Sequence, residues 1–136
     1  MNSDLKRKLP DEQEQTAVKD PETLQFIDKL LVTIQQALED KQADNVETIR
    51  VTGRTSLTDY FIVATARNST HCKILSDAVE AAVMKKLNYQ VRQVEGMESR
   101  KWIVLDYGDI IVHVMRQEDR EFYNLEKLWQ NSKTAK

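Results

Sequence analysis

The stretch WIVLDYGDIIVHVM, Trp102 to Met115, decides how the rest of the chain is read. Two runs of β-branched, aliphatic and aromatic residues flank a short polar centre, Asp106-Tyr107-Gly108-Asp109, the pattern of two strands folded back at a turn. The register of that turn sets which residues share a face. A two-residue turn at Tyr107-Gly108 would pair Asp106 with Asp109 and set Trp102 opposite His113. It would line one face with Trp102, Val104, Asp106, Asp109, Ile111 and His113. It also places like charges directly opposite each other and forces Tyr107 to positive φ, which suits Asn or Gly far better. A three-residue loop, Asp106-Tyr107-Gly108 with a left-handed glycine, avoids both costs and is the expected register. It gathers Trp102, Val104, Ile110, Val112 and Val114 on one face, and Ile103, Leu105, Asp109, Ile111 and His113 on the other. In either register the acids lie at an exposed tip.

Outward from the hairpin, the pattern alternates between strand and helix. YQVRQV (Tyr89 to Val94) reads as a strand, joined to the hairpin by the polar loop EGMESRK. Residues 68–87 return to a helical period, with Asn68, Ser69 or Thr70 as candidate caps and Leu75, Val79, Ala82, Val83 and Leu87 inward. VETIRV (Val46 to Val51) and DYFIVAT (Asp59 to Thr65) are short and rich in strand-forming residues, with a turn-forming link that contains Gly53 and Ser56. Asp20-Pro21-Glu22 is a helix start: an N-cap, a proline at the first position and an acid in the positive first turn. Leu24, Ile27, Leu31, Ile34 and Leu38 then form one stripe, to about Lys41. Beyond the hairpin, Glu118 to Trp129 reads as a helix that docks through Phe122, Leu125 and Trp129.

The order α-β-β-α-β-β-β-α predicts an α/β (α+β) fold, a mixed five-stranded sheet flanked by helices. One domain is expected over 20–131, with flexible polar tails at 1–19 and 132–136. A chain of 136 residues, 40% hydrophobic and 31% charged, has the composition of a globular domain with one core.

Composition also excludes function classes. Twenty basic residues against 22 acidic ones give a net charge of −2, without the basic excess typical of nucleic-acid binders. Contact with a ribonucleoprotein would run through a basic protein on it. The N-terminal residues lack an apolar signal core, and a lone cysteine, Cys72, makes no internal disulfide, so a cytoplasmic location is expected.

Each candidate catalytic group has a plainer explanation. Asp106, Asp109 and His113 carry metal-ligating chemistry, but four strand residues separate Asp109 from His113, about 13 Å at ~3.3 Å per residue. His71 and Cys72 are adjacent helix positions, which do not face each other, so they form no thiolate dyad. TGRTS (Thr52 to Ser56) lacks the parts of a phosphate loop. No metal or cofactor is expected. What remains is an association surface on the last helix: the acids Glu118, Asp119, Glu121 and Glu126 beside Tyr123.

The segments DYFIVAT, SDAVE, VEG, WIVLDYGDIIVHV and REFYNLEKLW, in this order and spacing, resemble the ribosomal silencing factor family RsfS, related to the plant Iojap protein. The resemblance covers about residues 22 to 130. It implies a nucleotidyltransferase-like fold and a non-enzymatic role: binding the large ribosomal subunit at ribosomal protein L-fourteen, a basic protein at the subunit interface. Joining of the small subunit is thereby blocked. It also implies a homodimer and partner contacts through Trp102, Asp106, Tyr107, Asp109, Arg120, Tyr123 and Glu126. This chain has Thr65-Ala66 where the family has Thr-Gly, and Thr70-His71 where it has Arg-His. The rival readings are a metal-dependent nucleotidyltransferase built on the hairpin acids, and an assembly factor for the large subunit.

Overall fold

Asp20 begins the first helix as its sequence demands: the carboxylate accepts the Thr23 N–H at 2.8 Å, and Pro21 follows where no backbone donor is needed. In the computed structural model, which describes residues 19–53, 55 and 57–124, this helix is α1, Pro21–Asp40. It is followed by β1 (Asp44–Arg50), β2 (Tyr60–Ala66), α2 (Ser69–Leu87), β3 (Gln93–Glu95), β4 (Trp102–Asp106), β5 (Ile110–Arg116) and α3 (Gln117–Tyr123). The expected order of elements is therefore the observed one. Leu125, Glu126, Trp129 and the two expected tails lie outside the described residues, Lys19 excepted.

The five strands form one sheet in the order β1-β2-β5-β4-β3. Only β2 and β5 run parallel, and the connection between them carries α2, β3 and β4. α1 and α2 pack together on one face. Ile27, Leu30, Ile34 and Leu38 of α1 and Leu75, Val79 and Val83 of α2 meet Ile62, Ala64, Ile103, Leu105, Tyr107, Ile110, Val112 and Val114 of the sheet and hairpin. Each fully buried leucine, isoleucine or valine among them stabilises the fold by about 1.5–3 kcal/mol. The second face carries a smaller cluster of Ile49, Val51, Phe61, Val63 and Met115, flanked by Trp102 and Ile111.

Three expectations need correction. The inward stripe of α1 is rotated: Leu30, Thr33 and Ala37 are buried, Leu31 is only partly so, and Leu24 is 50% exposed. Counting apolar residues weighted leucines and overlooked small inward ones. The third strand is only Gln93–Glu95, because Tyr89 leaves the sheet pattern to pack edge-on against Phe26 and stack on Tyr107. The last helix ends at Tyr123, where Asn124 takes a left-handed φ of 50° and its N–H caps the Arg120 carbonyl.

The hairpin takes neither weighed register. Trp102 pairs with Met115, Val104 with His113 and Asp106 with Ile111, and Tyr107 N–H donates to the Ile110 carbonyl at 2.9 Å. The turn is thus Gly108-Asp109, with glycine first at φ 88°, as a primed hairpin turn with glycine leading requires. Trp102, Val104, Asp106, Ile111, His113 and Met115 share the second face; Ile103, Leu105, Tyr107, Ile110, Val112 and Val114 face the helices. The two-residue register that turn chemistry argued against had grouped the faces correctly while misplacing the pairs by two residues.

One departure from the family pattern, Ala66, causes no strain. Ala66 continues the regular ladder opposite Arg116 and is not among the positive-φ residues, so no glycine is needed there. His71 ties two elements together: Nδ1 accepts the Arg67 N–H at 3.0 Å, and Nε2 donates to the Lys41 carbonyl at 2.8 Å, joining the end of α1 to the start of α2. His71→Ala removes both partners in a buried place, and chemical denaturation should show a loss of about 1–3 kcal/mol. An unchanged denaturation midpoint would contradict this role.

Candidate functional site

The residues singled out from sequence fall into two groups at opposite ends of the β4–β5 hairpin, four strand residues apart, about 13 Å at ~3.3 Å per residue. At the turn end, Asp106 is half-buried rather than exposed, and its Oδ1 accepts the Gly108 N–H at 2.8 Å, fastening the turn. Asp109 is also half-buried. Its Oδ1 lies 3.4 Å from Lys19 Nζ, which also meets Asp59 at 3.3 Å. Tyr107 is 0% exposed: it faces the helix-side core, and burial pushes its phenol above the usual range. These residues build the turn, and Tyr107 has no surface to offer a partner.

His113 does not converge with the hairpin acids. It sits in mid-strand, 9% exposed, with its Nδ1 accepting the indole N–H of Trp102 at 3.0 Å and its ring edge-on to Phe61. That bond fixes the neutral tautomer with the proton on Nε2, which has no hydrogen-bond partner among the described residues. Among the described residues no group of three or more His, Cys, Asp or Glu is placed to hold a metal. Cys72 is buried, its thiol pushed up to about 11 by desolvation, and so stays protonated at neutral pH.

Burial pushes His113 down to about 4 from its ordinary 6.5. Between these values the unfolded chain binds the proton more readily than the folded one. The stability due to a neutral His113 is therefore complete above pH 6.5 and is lost as pH falls toward 4, on the order of 3 kcal/mol. His113→Gln keeps an acceptor for Trp102 without a titrating ring. Urea midpoints at pH 7.5 and 4.5 should then fall less for the variant than for the parent chain; equal falls would contradict the assignment.

The other end of the hairpin has an open surface. Trp102 is half-buried, its ring 4.7 Å from that of Tyr123, and Tyr123 meets Phe122 edge-on at 4.9 Å. Tyr123 is 49% exposed and Phe122 80% exposed. Phe122 was expected to dock the helix and instead points outward. Arg120 takes the inward place, 5% exposed, so it too lies beneath the surface rather than on it. The helix therefore faces the other way round from the phase its aromatics suggested. Glu118 and Glu121 are exposed on the same helix; Arg116 holds Asp119 at 2.9 Å and reaches the Glu118 carboxylate at 3.4 Å. Aromatic rings rimmed by acids suit a basic protein surface.

A family described as "Ribosomal silencing factor during starvation" matches residues 24–136. The chain is 36% identical over 100 residues to the ribosomal silencing factor RsfS of Zymomonas mobilis, covering 74% of each. It is 30% identical over 108 residues to mouse "Mitochondrial assembly of ribosomal large subunit protein 1", covering 76% of this chain and 44% of that one. A crystal structure from Chromobacterium violaceum superposes with a TM-score of 0.73 at 32% identity, covering 76% of this chain and 86% of that one.

Proposed function

Since the chain belongs to the ribosomal silencing factor family RsfS, we propose that it binds the large ribosomal subunit through ribosomal protein L-fourteen and sterically blocks joining of the small subunit. The observation that carries this reading is Phe122, exposed on a short helix whose other aromatic ring packs tilted against Trp102. A phenylalanine left in water at the outer edge of a fixed aromatic cluster is the kind of anchor that supplies much of an interface's affinity. Glu118 and Glu121 beside it supply the charge to orient on a basic partner. No covalent step is needed, and the role is that of a cytoplasmic binding protein, acting as a monomer or as the homodimer its family resemblance implies.

The experiment is co-sedimentation with purified large subunits, followed by addition of small subunits. The expected result is salt-sensitive binding and a dose-dependent fall in joined ribosomes. Binding with joining unaffected would overturn the silencing mechanism, and no binding would overturn the partner.

The name of the mouse relative favours a second reading, in which the protein acts on large subunits still being assembled. Profiling the particles that carry the protein separates the two: mature subunits for silencing, immature precursors for assembly.

A further inference from the structure

Arg120 is an arginine in the place of a core residue, and a buried guanidinium is costly unless its N–H groups are bonded. Its Nη1 donates one hydrogen to Thr65 Oγ1 at 2.6 Å and the other to the backbone carbonyl of Asn45. Both acceptors are prepared for it. Thr65 is on β2, on the same face as Phe61 and Val63. Asn45 belongs to a bulge in β1, where the pairing jumps from Asp44↔Thr65 to Glu47↔Val63 and so has one residue too many. Asn45 adopts φ 49°, which asparagine tolerates better than most residues, and its carbonyl is turned to the guanidinium.

The helical geometry converts this anchor into an orientation. Tyr123 follows Arg120 by three residues and lies on nearly the same side of α3, so anchoring Arg120 to the sheet lays Tyr123 on Trp102. Phe122 follows by two residues, about 200° around the helix at 3.6 residues per turn, and is driven outward. Anchoring this side chain therefore sets the direction of both rings, Tyr123 toward Trp102 and Phe122 away from the sheet.

We propose that Arg120 is the positioning residue of the docking surface: by bridging Thr65 and the β1 bulge it fixes the rotation of α3, and with it the presentation of Phe122 and Tyr123. This inference rests on the reading of that surface as the large-subunit contact. It assigns Arg120 an indirect part, since the residue is buried and does not reach a partner itself.

The test uses the full chain with Arg120→Met, which keeps the stem and removes the donors, Arg120→Lys, and Thr65→Val, which removes one acceptor with little change of shape. The first readout needs no ribosome: the NMR signal of the Trp102 indole N–H and its contact with the Tyr123 ring, with Trp129→Phe used to assign the two tryptophans. The second is affinity for purified large subunits. Arg120→Met and Thr65→Val should both shift the Trp102 signal and weaken binding at least about tenfold. Arg120→Lys should restore part of each. Adding Phe122→Ala to Arg120→Met should cost less than the sum of the two alone, since both act through one ring. Thr65→Val keeps the test valid if Arg120→Met fails to fold. An unchanged Trp102 signal in folded variants overturns the positioning role. A shifted signal with unchanged affinity leaves Arg120 orienting the helix and overturns the docking surface instead.

Discussion

Replacing Phe122 by alanine is expected to weaken binding to the large subunit by about thirtyfold or more, the loss typical of an interface anchor at ~2 kcal/mol. Its effect on folding should be within about 0.5 kcal/mol, because an 80% exposed ring contributes little to the core. That separation of binding from stability is what distinguishes an anchor from a packing residue. Glu118→Lys with Glu121→Lys should act differently, slowing association most at low salt while changing dissociation less. Titration of large subunits with each variant, alongside a thermal melt, checks both; a Phe122→Ala chain that binds like its parent would remove the anchor.

The largest effect on stability is expected at Gly96. Its φ is 86°, and a Cβ there would lie 2.0 Å from the Trp102 carbonyl oxygen, a backbone atom that no side-chain rotation can move. Gly96→Ala should therefore destabilise the chain by about 3 kcal/mol or more, with a fall in melting temperature on the order of 10 °C. Gly108→Ala is the contrasting case. Its φ is 88°, yet the nearest atom is the end of the Arg92 side chain, which can swing away. That change should cost about 1–2 kcal/mol, from backbone strain without the backbone collision. Equal losses at the two glycines would contradict the close approach at Gly96. Because that approach sets where β4 begins, a surviving Gly96→Ala chain should also show a displaced Trp102.

Most of the fold was legible because its signals are local. Asp20-Pro21 marks the start of a helix by chemistry confined to four residues, and Asn68 does the same for α2 by accepting the His71 N–H at 2.8 Å. The hairpin register was not legible from strand patterning alone. Asp106 and Asp109 were weighed as a repelling pair, whereas Asp106 is occupied with Gly108 and Asp109 belongs to the turn itself. The informative signal was the order of Gly108 and Asp109, since a turn with glycine leading moves the whole ladder.

The candidate site was legible by composition but not by orientation. An aromatic and acidic helix was visible, yet apolar periodicity turned Phe122 inward. An arginine is not counted among inward positions, and the acceptors that make Arg120 one lie 55 and 75 residues away. Only tertiary pairing could reveal them. Tyr107 illustrates the reverse error: beside two acids and a glycine it read as surface, while its alternation with Leu105 and Ile103 placed it in the core.

A photo-crosslinking residue at position 122, mixed with purified large subunits, tests the docking claim most directly. One dominant product is expected, between position 122 and ribosomal protein L-fourteen, absent when the same probe replaces Val32 on the far helical layer. Crosslinks that go only to ribosomal RNA or to another protein, or that arise from position 32 and not from 122, would contradict it.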